Sequence, residues 1–274
     1  MKKRRLISAS NEPSAVLARA FGECREGQKP RCSAAGFLTW KLTGIISLIV
    51  CCAALAAGAF WGLKGYGMYR EAIARTSIEE RVEAIRGEEN FTDYSELPDF
   101  YINAVLSVED HRFRKHLGID PAAICRAAWI DLTKRAFVEG GSTITQQLAK
   151  NLLFTQEKTI TRKIAEVFAA FAIEANYSKE EIFELYVNTI YFGSGYYGIY
   201  NAAKGYFGKE PSELADYEAA VLAGVPNVPS VYSPDVNSEL AMQRTNQVLR
   251  SMVRNHFLTQ KKMDELNRYR RIQG

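Results

Sequence analysis

The sequence predicts a mainly α-helical protein with one membrane-spanning helix near its N-terminus. Apolar residues recur three and four positions apart through most of the second half of the chain, which is the spacing of amphipathic helices. No convincing alternation of apolar and polar residues predicts a strand, and no internal repeat is visible. One stretch of 21 residues, 43–63, carries no charge and is long enough to cross a bilayer.

The composition is that of a folded protein and gives little support to nucleic-acid binding. Of the 274 residues, 47% are hydrophobic and 24% are charged, and the formal net charge is +4. Residues 1–42 hold nine Lys/Arg and three Glu, a net charge of +6, so the remainder carries −2. Because no basic face runs through that remainder, nucleic acid is not expected among the partners. We interpret residues 1–42 as a basic cytoplasmic tail.

The uncharged run at residues 43–63 is best explained as a membrane anchor. It lies between Lys41 and Lys64 and spans about 31 Å as a helix, which matches one bilayer core. Trp40 and Trp61 lie near its two ends, where interfacial aromatic residues belong. A buried core helix and a cleaved signal peptide are the alternatives, but the run starts too late and is too long for a signal peptide.

The orientation of the anchor depends on the N-terminal charges. Within about 20 residues of the run each side carries four Lys/Arg, so the flanking charges do not decide the orientation. The Lys-Lys-Arg-Arg cluster at residues 2–5 favours a cytoplasmic N-terminus. We therefore expect a charged helical stalk at residues 64–95 and a globular domain at residues 96–274, both beyond the outer face of the membrane.

Neither the cysteines nor the histidines predict a disulfide or a metal site in the globular part. Of the five cysteines, Cys125 alone follows the uncharged run, so no internal disulfide is expected there. His111 and His116 are five positions apart, not the four of a helical zinc pair, and His256 is the only other histidine. The sequence therefore predicts no metal-binding site.

The stretch from Gly140 to Asn151, GGSTITQQLAKN, is the most informative part of the sequence. Ile144, Leu148 and Leu152 recur every four residues, which predicts a helix that buries one narrow stripe. The glycines and the Ser-Thr pair before that helix predict free backbone N–H groups, which suit an anion. We therefore expect this stretch to bind something polar and phosphorylated.

Two charged clusters can also carry chemistry. Glu109 and Asp110 are adjacent carboxylates at the predicted end of an apolar helix, where the helix dipole disfavours negative charge. They are either a solvated acid pair or the source of a general base. Arg162 and Lys163 with Glu166 are either a surface ion pair or part of an anion site. Two further cations lie nearby in the sequence, Lys150 and Lys158.

Five segments taken together resemble the ordered motifs of the family 51 peptidoglycan glycosyltransferases. The first three are Glu-Asp-x-x-Phe-x-x-His-x-Gly at 109–118, the Gly-Gly stretch at 140–151 and Arg-Lys-x-x-Glu at 162–166. The fourth and fifth cover 182–209 and 218–234. One segment could match by chance, but all five occur in the order of the family, which makes the resemblance specific.

The resemblance implies a lysozyme-like, mostly helical fold and the polymerisation of lipid II into glycan strands. Glu109 falls on the general base of the family, which takes the proton from the 4-hydroxyl of the acceptor sugar. Glu166 falls on a second essential glutamate near the leaving group of the donor. Lys150, Arg162 and Lys163 would neutralise the departing diphosphate.

The resemblance also implies that other residues bind the substrate. Lys158 stands where the family usually has arginine, so it keeps the charge but loses the bidentate geometry. The remaining residues with an implied substrate-binding role are Asp110, Phe113, His116, Ser142, Thr143, Gln146, Gln147 and Asn151. The segment at 121–139 is either ordinary core or, as in this family, a mobile jaw that dips into the bilayer.

We therefore expect a single-pass peptidoglycan glycosyltransferase of the bacterial inner membrane. Transpeptidase activity is not expected, since about 40 residues follow the last motif and no Ser-x-x-Lys motif occurs. A lysozyme-like glycan hydrolase and a non-catalytic lipid II-binding scaffold are the alternatives.

The expected partners follow from the same reaction. They are lipid II, the nascent glycan chain and the lipid bilayer, with penicillin-binding transpeptidases and divisome or elongasome proteins as further candidates. No cofactor is required, although the substrate diphosphate can recruit Mg²⁺ or Mn²⁺.

Overall fold

The computed structural model describes residues 34–134, 140–155, 157 and 159–273, and in this part of the chain the fold is mainly α, as predicted. The one β contact within it is an isolated antiparallel bridge between Tyr191 and Tyr197. The chain divides into two units, residues 1–56 and residues 57–274, and the candidate site lies entirely within the second.

The first helix, α1, runs from Ala34 to Arg75 and contains the predicted anchor. Its residues 42–75 are long and apolar enough to cross a membrane, and the 18-residue apolar window within them is not buried by the described protein. In the unit 57–274, the end of α1 packs closely on a later helix. A Cβ atom at Gly65 would lie 2.5 Å from Ile164 Cγ2, so this approach requires glycine.

The charged segment predicted as a stalk, residues 64–95, takes part in the packed unit. Helix α2, Ile78–Arg86, begins with a capping box between Ser77 and Glu80. Ile78 and Val82 belong to the hydrophobic core, because their i, i+4 spacing gives this short charged helix one face to bury. Packed structure therefore begins before residue 96.

Ten further α-helices and four three-residue 3₁₀ helices are found in the described part of the unit. The α-helices are α3 (Asp99–Glu109), α4 (Pro121–Lys134), α5 (Ile144–Leu153), α6 (Ile160–Asn176), α7 (Lys179–Thr189), α8 (Ile199–Phe207), α9 (Asp216–Gly224), α10 (Pro229–Tyr232), α11 (Ser238–Arg254) and α12 (Gln260–Gln273). Helix α5 packs against α6 and α7, while α3 packs against α9 and α11. The site described below lies where the C-terminus of α3 meets α5.

Helix α5 confirms the helix predicted from the four-residue spacing. Ile144, Leu148 and Leu152 are buried on one face of it, with Ala149 and Leu153 beside them. Apolar residues fill this buried side of the helix, and the remaining positions are available for polar residues.

Helix α4 carries large apolar side chains that the described protein leaves exposed. Trp129 is 68% exposed and Ile124 is 43% exposed, and Leu117 just before the helix is 74% exposed. In the same segment Ile130 is half-buried, while residues 135–139, which include Phe137, and the side chain of Leu132 lie outside the described residues. For Ile124 and Trp129, ordinary core is therefore the wrong interpretation.

Candidate active site

Glu109 is the last residue of α3 and its half-buried carboxylate faces α5. Gln147 on α5 donates its Nε2–H to Glu109 Oε2 at 2.7 Å. The hydroxyl of Tyr186 in turn donates to Gln147 Oε1 at 3.5 Å. Burial raises the pKa of Tyr186 well above its ordinary value, and the charge of Glu109 raises it further, so this hydroxyl stays protonated. The carboxylate of Glu109 is therefore oriented by a chain of donors.

Asp110, the neighbour of Glu109, is buried and fully occupied by protein partners. His116 Nε2 lies 2.9 Å from Asp110 Oδ2, and the backbone N–H of Ile144 donates to the same oxygen at 3.1 Å. Phe113 lies between Asp110 and His116 in the sequence and belongs to the hydrophobic core. Lys179 Nζ lies 4.4 Å from the centre of the Phe113 ring. Asp110 therefore ties the loop after α3 to the start of α5.

Three N–H groups at the start of α5, those of Thr143, Ile144 and Gln146, are bound by protein groups, so for these three the prediction of free N–H groups is wrong. Thr143 is the N-cap residue, and its hydroxyl accepts from the Gln146 N–H at 3.1 Å. The side chain of Gln146 accepts from the Thr143 N–H at 3.1 Å, which completes a capping box. Asp110 takes the N–H of Ile144, and Thr143 also donates to the Gly118 carbonyl at 2.6 Å. The N–H groups of Ile144 and Gln146 are thus not open to an anion.

Glu166 on α6 is fully buried between two cations. Lys163 Nζ donates to Glu166 Oε2 at 2.6 Å, and Arg162 Nε lies 3.1 Å from Oε1 as an ion pair that is not aligned as a hydrogen bond. Lys163 also donates to Ser142 Oγ at 2.9 Å, and Arg162 donates to the Thr155 carbonyl at 3.0 Å. The third charged cluster of the sequence is therefore joined in space to the Gly-Gly stretch through Ser142.

Lys150 on α5 completes this cluster, which we call the cation cluster: Lys150, Arg162 and Lys163 around Glu166. Burial lowers the pKa of Lys150, and the charges of Lys163 and Arg162 lower it further, while Glu166 opposes them. Within the described part of the chain, the Lys150 ammonium makes no hydrogen bond and no ion pair. A half-buried cation without such partners is stabilised by an anionic ligand.

The remaining predicted residues are placed as follows. Asn151 is half-buried on α5, next to Lys150. Lys158 lies outside the described residues. The structure therefore brings Glu109, Gln147, Ser142 and the cation cluster to one region. Asp110, Phe113, Thr143 and Gln146 are buried residues next to it, and the side chain of His116 is 8% exposed.

A cavity of about 770 Å³ opens beside Glu109 and includes Ser142 in its lining. One wall is polar and comes from α11 and the residue after it, and sequence reasoning did not identify it. Its members are Arg244, Gln247, Ser251, Arg254 and Asn255. The three- and four-residue spacing of these polar residues predicts that they share one face of a helix. Nothing in the sequence of α11 indicates that this face meets α3.

The chain is similar to known proteins over the part that holds this site. The family model for transglycosylases matches residues 77–253. Penicillin-binding protein 1A of Aquifex aeolicus is 46% identical over 175 residues, which is 64% of this chain and 24% of the relative. Penicillin-binding protein 2D of Bacillus subtilis is 47% identical over 165 residues, 60% of this chain and 24% of the relative.

A third relative extends the match toward the N-terminal helix. Penicillin-binding protein 1A of Escherichia coli is 38% identical over 234 residues, 80% of this chain and 27% of the relative. The chain thus spans about a quarter of the length of these curated relatives.

Proposed function

The chain belongs to the transglycosylase family, and from this premise we propose that it polymerises lipid II into β-1,4-linked glycan strands with release of polyprenyl diphosphate. The observation that carries the proposal is the juxtaposition of an oriented carboxylate, Glu109, with a cation cluster whose half-buried Lys150 has no ion-pair partner among the described residues. The first group suits the removal of a proton and the second suits the departure of a diphosphate.

Glu109 is the general base of the proposed reaction. Its carboxylate takes the proton from the 4-hydroxyl of the acceptor sugar as that oxygen attacks the anomeric carbon of the donor. The new C–O bond forms as the bond between the anomeric carbon and the diphosphate oxygen breaks, and the configuration is inverted. Gln147 holds one carboxylate oxygen by its N–H at 2.7 Å, so the other oxygen is available to the incoming hydroxyl.

The cation cluster stabilises the leaving diphosphate. Lys150, Lys163 and Arg162 supply positive charge where negative charge develops. Glu166 acts on the diphosphate through Lys163 and Arg162, because its two oxygens are held by those two cations. Lys158, Ser142 and Asn151 are proposed to bind the diphosphate and the sugars, as their positions in the motifs imply.

The buried residues of the same motifs serve the reaction by positioning. We propose that Asp110, His116, Thr143 and Gln146 fix the loop after α3 against the start of α5, which sets the place of Glu109. Phe113 anchors that loop in the core.

The proposed location is the bacterial inner membrane, with the N-terminus in the cytoplasm and the site on the outer face. The apolar helix at residues 42–75 supports an anchor, and the exposed apolar side chains of α4 support contact with lipid, where the polyprenyl chain of the substrate resides. Penicillin-binding transpeptidases and divisome or elongasome proteins are proposed partners.

Two further features of the reaction are proposed from the sequence. Peptide crosslinking is not proposed for these 274 residues, which contain no Ser-x-x-Lys motif. Any Mg²⁺ or Mn²⁺ is proposed to enter on the substrate diphosphate.

Incubation of the purified full chain in detergent with labelled lipid II tests the proposal. We expect long glycan strands, and we expect Glu109→Gln to abolish them. Glu89→Gln is the charge-matched control, because Glu89 is exposed and far along the chain from the motifs. Binding of lipid II without polymer would identify a scaffold, and shortening of preformed glycan would identify a hydrolase.

A further inference from the structure

Helix α11 presents a polar stripe to the cavity that contains Glu109. Arg244, Gln247, Ser251 and Arg254 are spaced three, four and three residues apart, so they lie on one face of the helix. Asn255, just after the helix, extends the same face. We call this set the α11 wall.

The α11 wall is held at a fixed place relative to Glu109. Ser251 Oγ donates to the Ser107 carbonyl at 2.7 Å, and Asn255 Nδ2 donates to the same carbonyl at 3.0 Å. Ser107 lies two residues before Glu109 on α3, and both serines are buried. A ligand that reaches Glu109 therefore meets the α11 wall at a distance set by the protein core.

Contacts within the protein hold Arg244 in position without a ligand. Its Nε donates to the Gly224 carbonyl at 3.3 Å and its Nη1 donates to Gln247 Oε1 at 3.2 Å. A Cβ atom at position 224 would lie 3.0 Å from Arg244 Cγ, so glycine there lets the arginine pack. Its guanidinium has no carboxylate partner among the described residues.

Arg254, at the end of α11, is less constrained. It is exposed, and within the described ranges it makes neither a hydrogen bond nor an ion pair. The wall therefore presents two guanidinium groups that no described carboxylate neutralises.

The carboxylates that line the same cavity are committed to other partners. Asp110 is paired with His116, and Asp120 is paired with Arg112. Glu109 is the base proposed above. Positive charge on the α11 wall is therefore available to a ligand.

The diphosphate of the proposed reaction is assigned to the cation cluster, whose members do not belong to the α11 wall. Among the described residues, none of Lys150, Arg162 and Lys163 contributes to the lining of this cavity. Arg162 instead lines a separate cavity of about 230 Å³. The guanidinium groups of the α11 wall are therefore distinct from the cations of that cluster.

We propose that the α11 wall binds the carboxylate groups of the peptide branch carried by the glycan substrate. A guanidinium matches a carboxylate with two parallel hydrogen bonds, and the amides of Gln247 and Asn255 match peptide groups. The proposal rests on the proposed function, because it takes the glycan of lipid II as the ligand. It assigns recognition of the peptide to α11, which lies outside the elements that carry the diphosphate-binding cations.

A binding measurement that needs no turnover tests the proposal. The probe is a fluorescent, soluble disaccharide-peptide that lacks lipid and diphosphate, compared with the same compound whose peptide carboxylates are amidated. With the full chain in detergent, fluorescence anisotropy should give a Kd about 3- to 10-fold higher for the amidated compound. Arg254→Gln should lower the ratio of the two Kd values, and the double variant Arg244→Gln with Arg254→Gln should bring it to about one.

Arg250→Gln is the matched control, because Arg250 is an exposed arginine on α11 that does not line the cavity. It should keep the ratio of the wild-type protein. The proposal is overturned when the wild-type protein binds both compounds equally, or when Arg254→Gln weakens both by the same factor. If the wild-type protein does not polymerise lipid II but keeps the difference between the two Kd values, the proposed function is rejected and the proposed peptide site is retained.

Discussion

The buried motif residues and the cation cluster differ in how far their polar groups are satisfied. Around the start of α5, the carboxylate of Asp110 and the hydroxyl of Thr143 have partners within the protein. In the cation cluster, Lys150 lacks an ion-pair partner in the described part of the chain, and Arg162 and Lys163 share one carboxylate. Residues with complete pairing are expected to stabilise the fold, whereas residues with incomplete pairing are expected to act on the ligand.

Lys150→Met should show the largest effect and the clearest separation of activity from stability. Loss of this charge should lower kcat/KM for lipid II by about 10²- to 10³-fold, because a cation at the leaving group is removed. The free energy of unfolding of the unliganded protein should not fall, since burial already penalises the ammonium. Steady-state kinetics and urea denaturation measure the two quantities.

Lys261→Met is the control for that pair of measurements. Lys261 is exposed on α12 and far from the cluster, so both quantities should stay at wild-type values. A Lys150→Met protein that unfolds much more easily would show that Lys150 has a structural role, and the comparison between the two regions would fail.

Asp110→Asn, in contrast to Lys150→Met, should lower the stability of the unliganded protein. The amide carries no charge and cannot match both His116 and the Ile144 N–H as the carboxylate does, so we expect the free energy of unfolding to fall by about 1–3 kcal/mol. Urea denaturation measures this, with Asp264→Asn on exposed α12 as the control. Unchanged stability together with a lost affinity for substrate would place Asp110 among the ligand-binding residues.

Thr143→Val also tests the buried motif residues around the start of α5, with a smaller expected effect. The substitution removes the N-cap of α5 and the hydrogen bond to Gly118, which should cost about 1–2 kcal/mol of unfolding free energy. Thr133→Val, at an exposed threonine on α4 whose hydroxyl bonds within its own helix, is the matched control and should change little. Equal stability of the two variants would contradict the capping role.

Lys150→Arg tests the role of the cation cluster through the pH dependence of kcat/KM. Because the pKa of Lys150 is lowered, the ammonium loses its proton at a lower pH than an ordinary lysine, and kcat/KM should fall on that alkaline limb. Arginine stays charged, so the limb should move to higher pH. The pH profile of kcat/KM measures the shift, and Lys261→Arg should leave the limb in place.

The same lowered pKa fixes the sign of a stability effect. Between the folded and the unfolded pKa of Lys150, the unfolded chain binds more protons, so this residue makes the free energy of unfolding rise with pH in that window. Lys150→Met should remove that slope, and urea denaturation at several pH values measures it.

Local pattern was sufficient for much of the fold and for part of the site. The stripe Ile144–Leu148–Leu152 predicted α5, and a Glu-Asp pair at the end of an apolar run placed Glu109 at a helix C-terminus. These predictions succeed because helix periodicity depends on residues three and four apart. The stalk interpretation of residues 64–95 did not foresee that Ile78 and Val82 pack into the core, since a two-residue apolar face is a weak signal among so many charges.

The sequence by itself determined that the fold is mainly helical, which motifs occur in order, and which charges the chain contains. The tertiary structure decided which of those charges and polar groups are already paired. Asp110 receives the N–H of a residue 34 positions away, and Ser251 binds a carbonyl 144 positions away. Such pairs depend on how helices pack and not on local spacing. Only the fold therefore shows that N–H groups at the start of α5 are already paired, that Lys150 has no ion-pair partner in the described part of the chain, and that α11 faces Glu109.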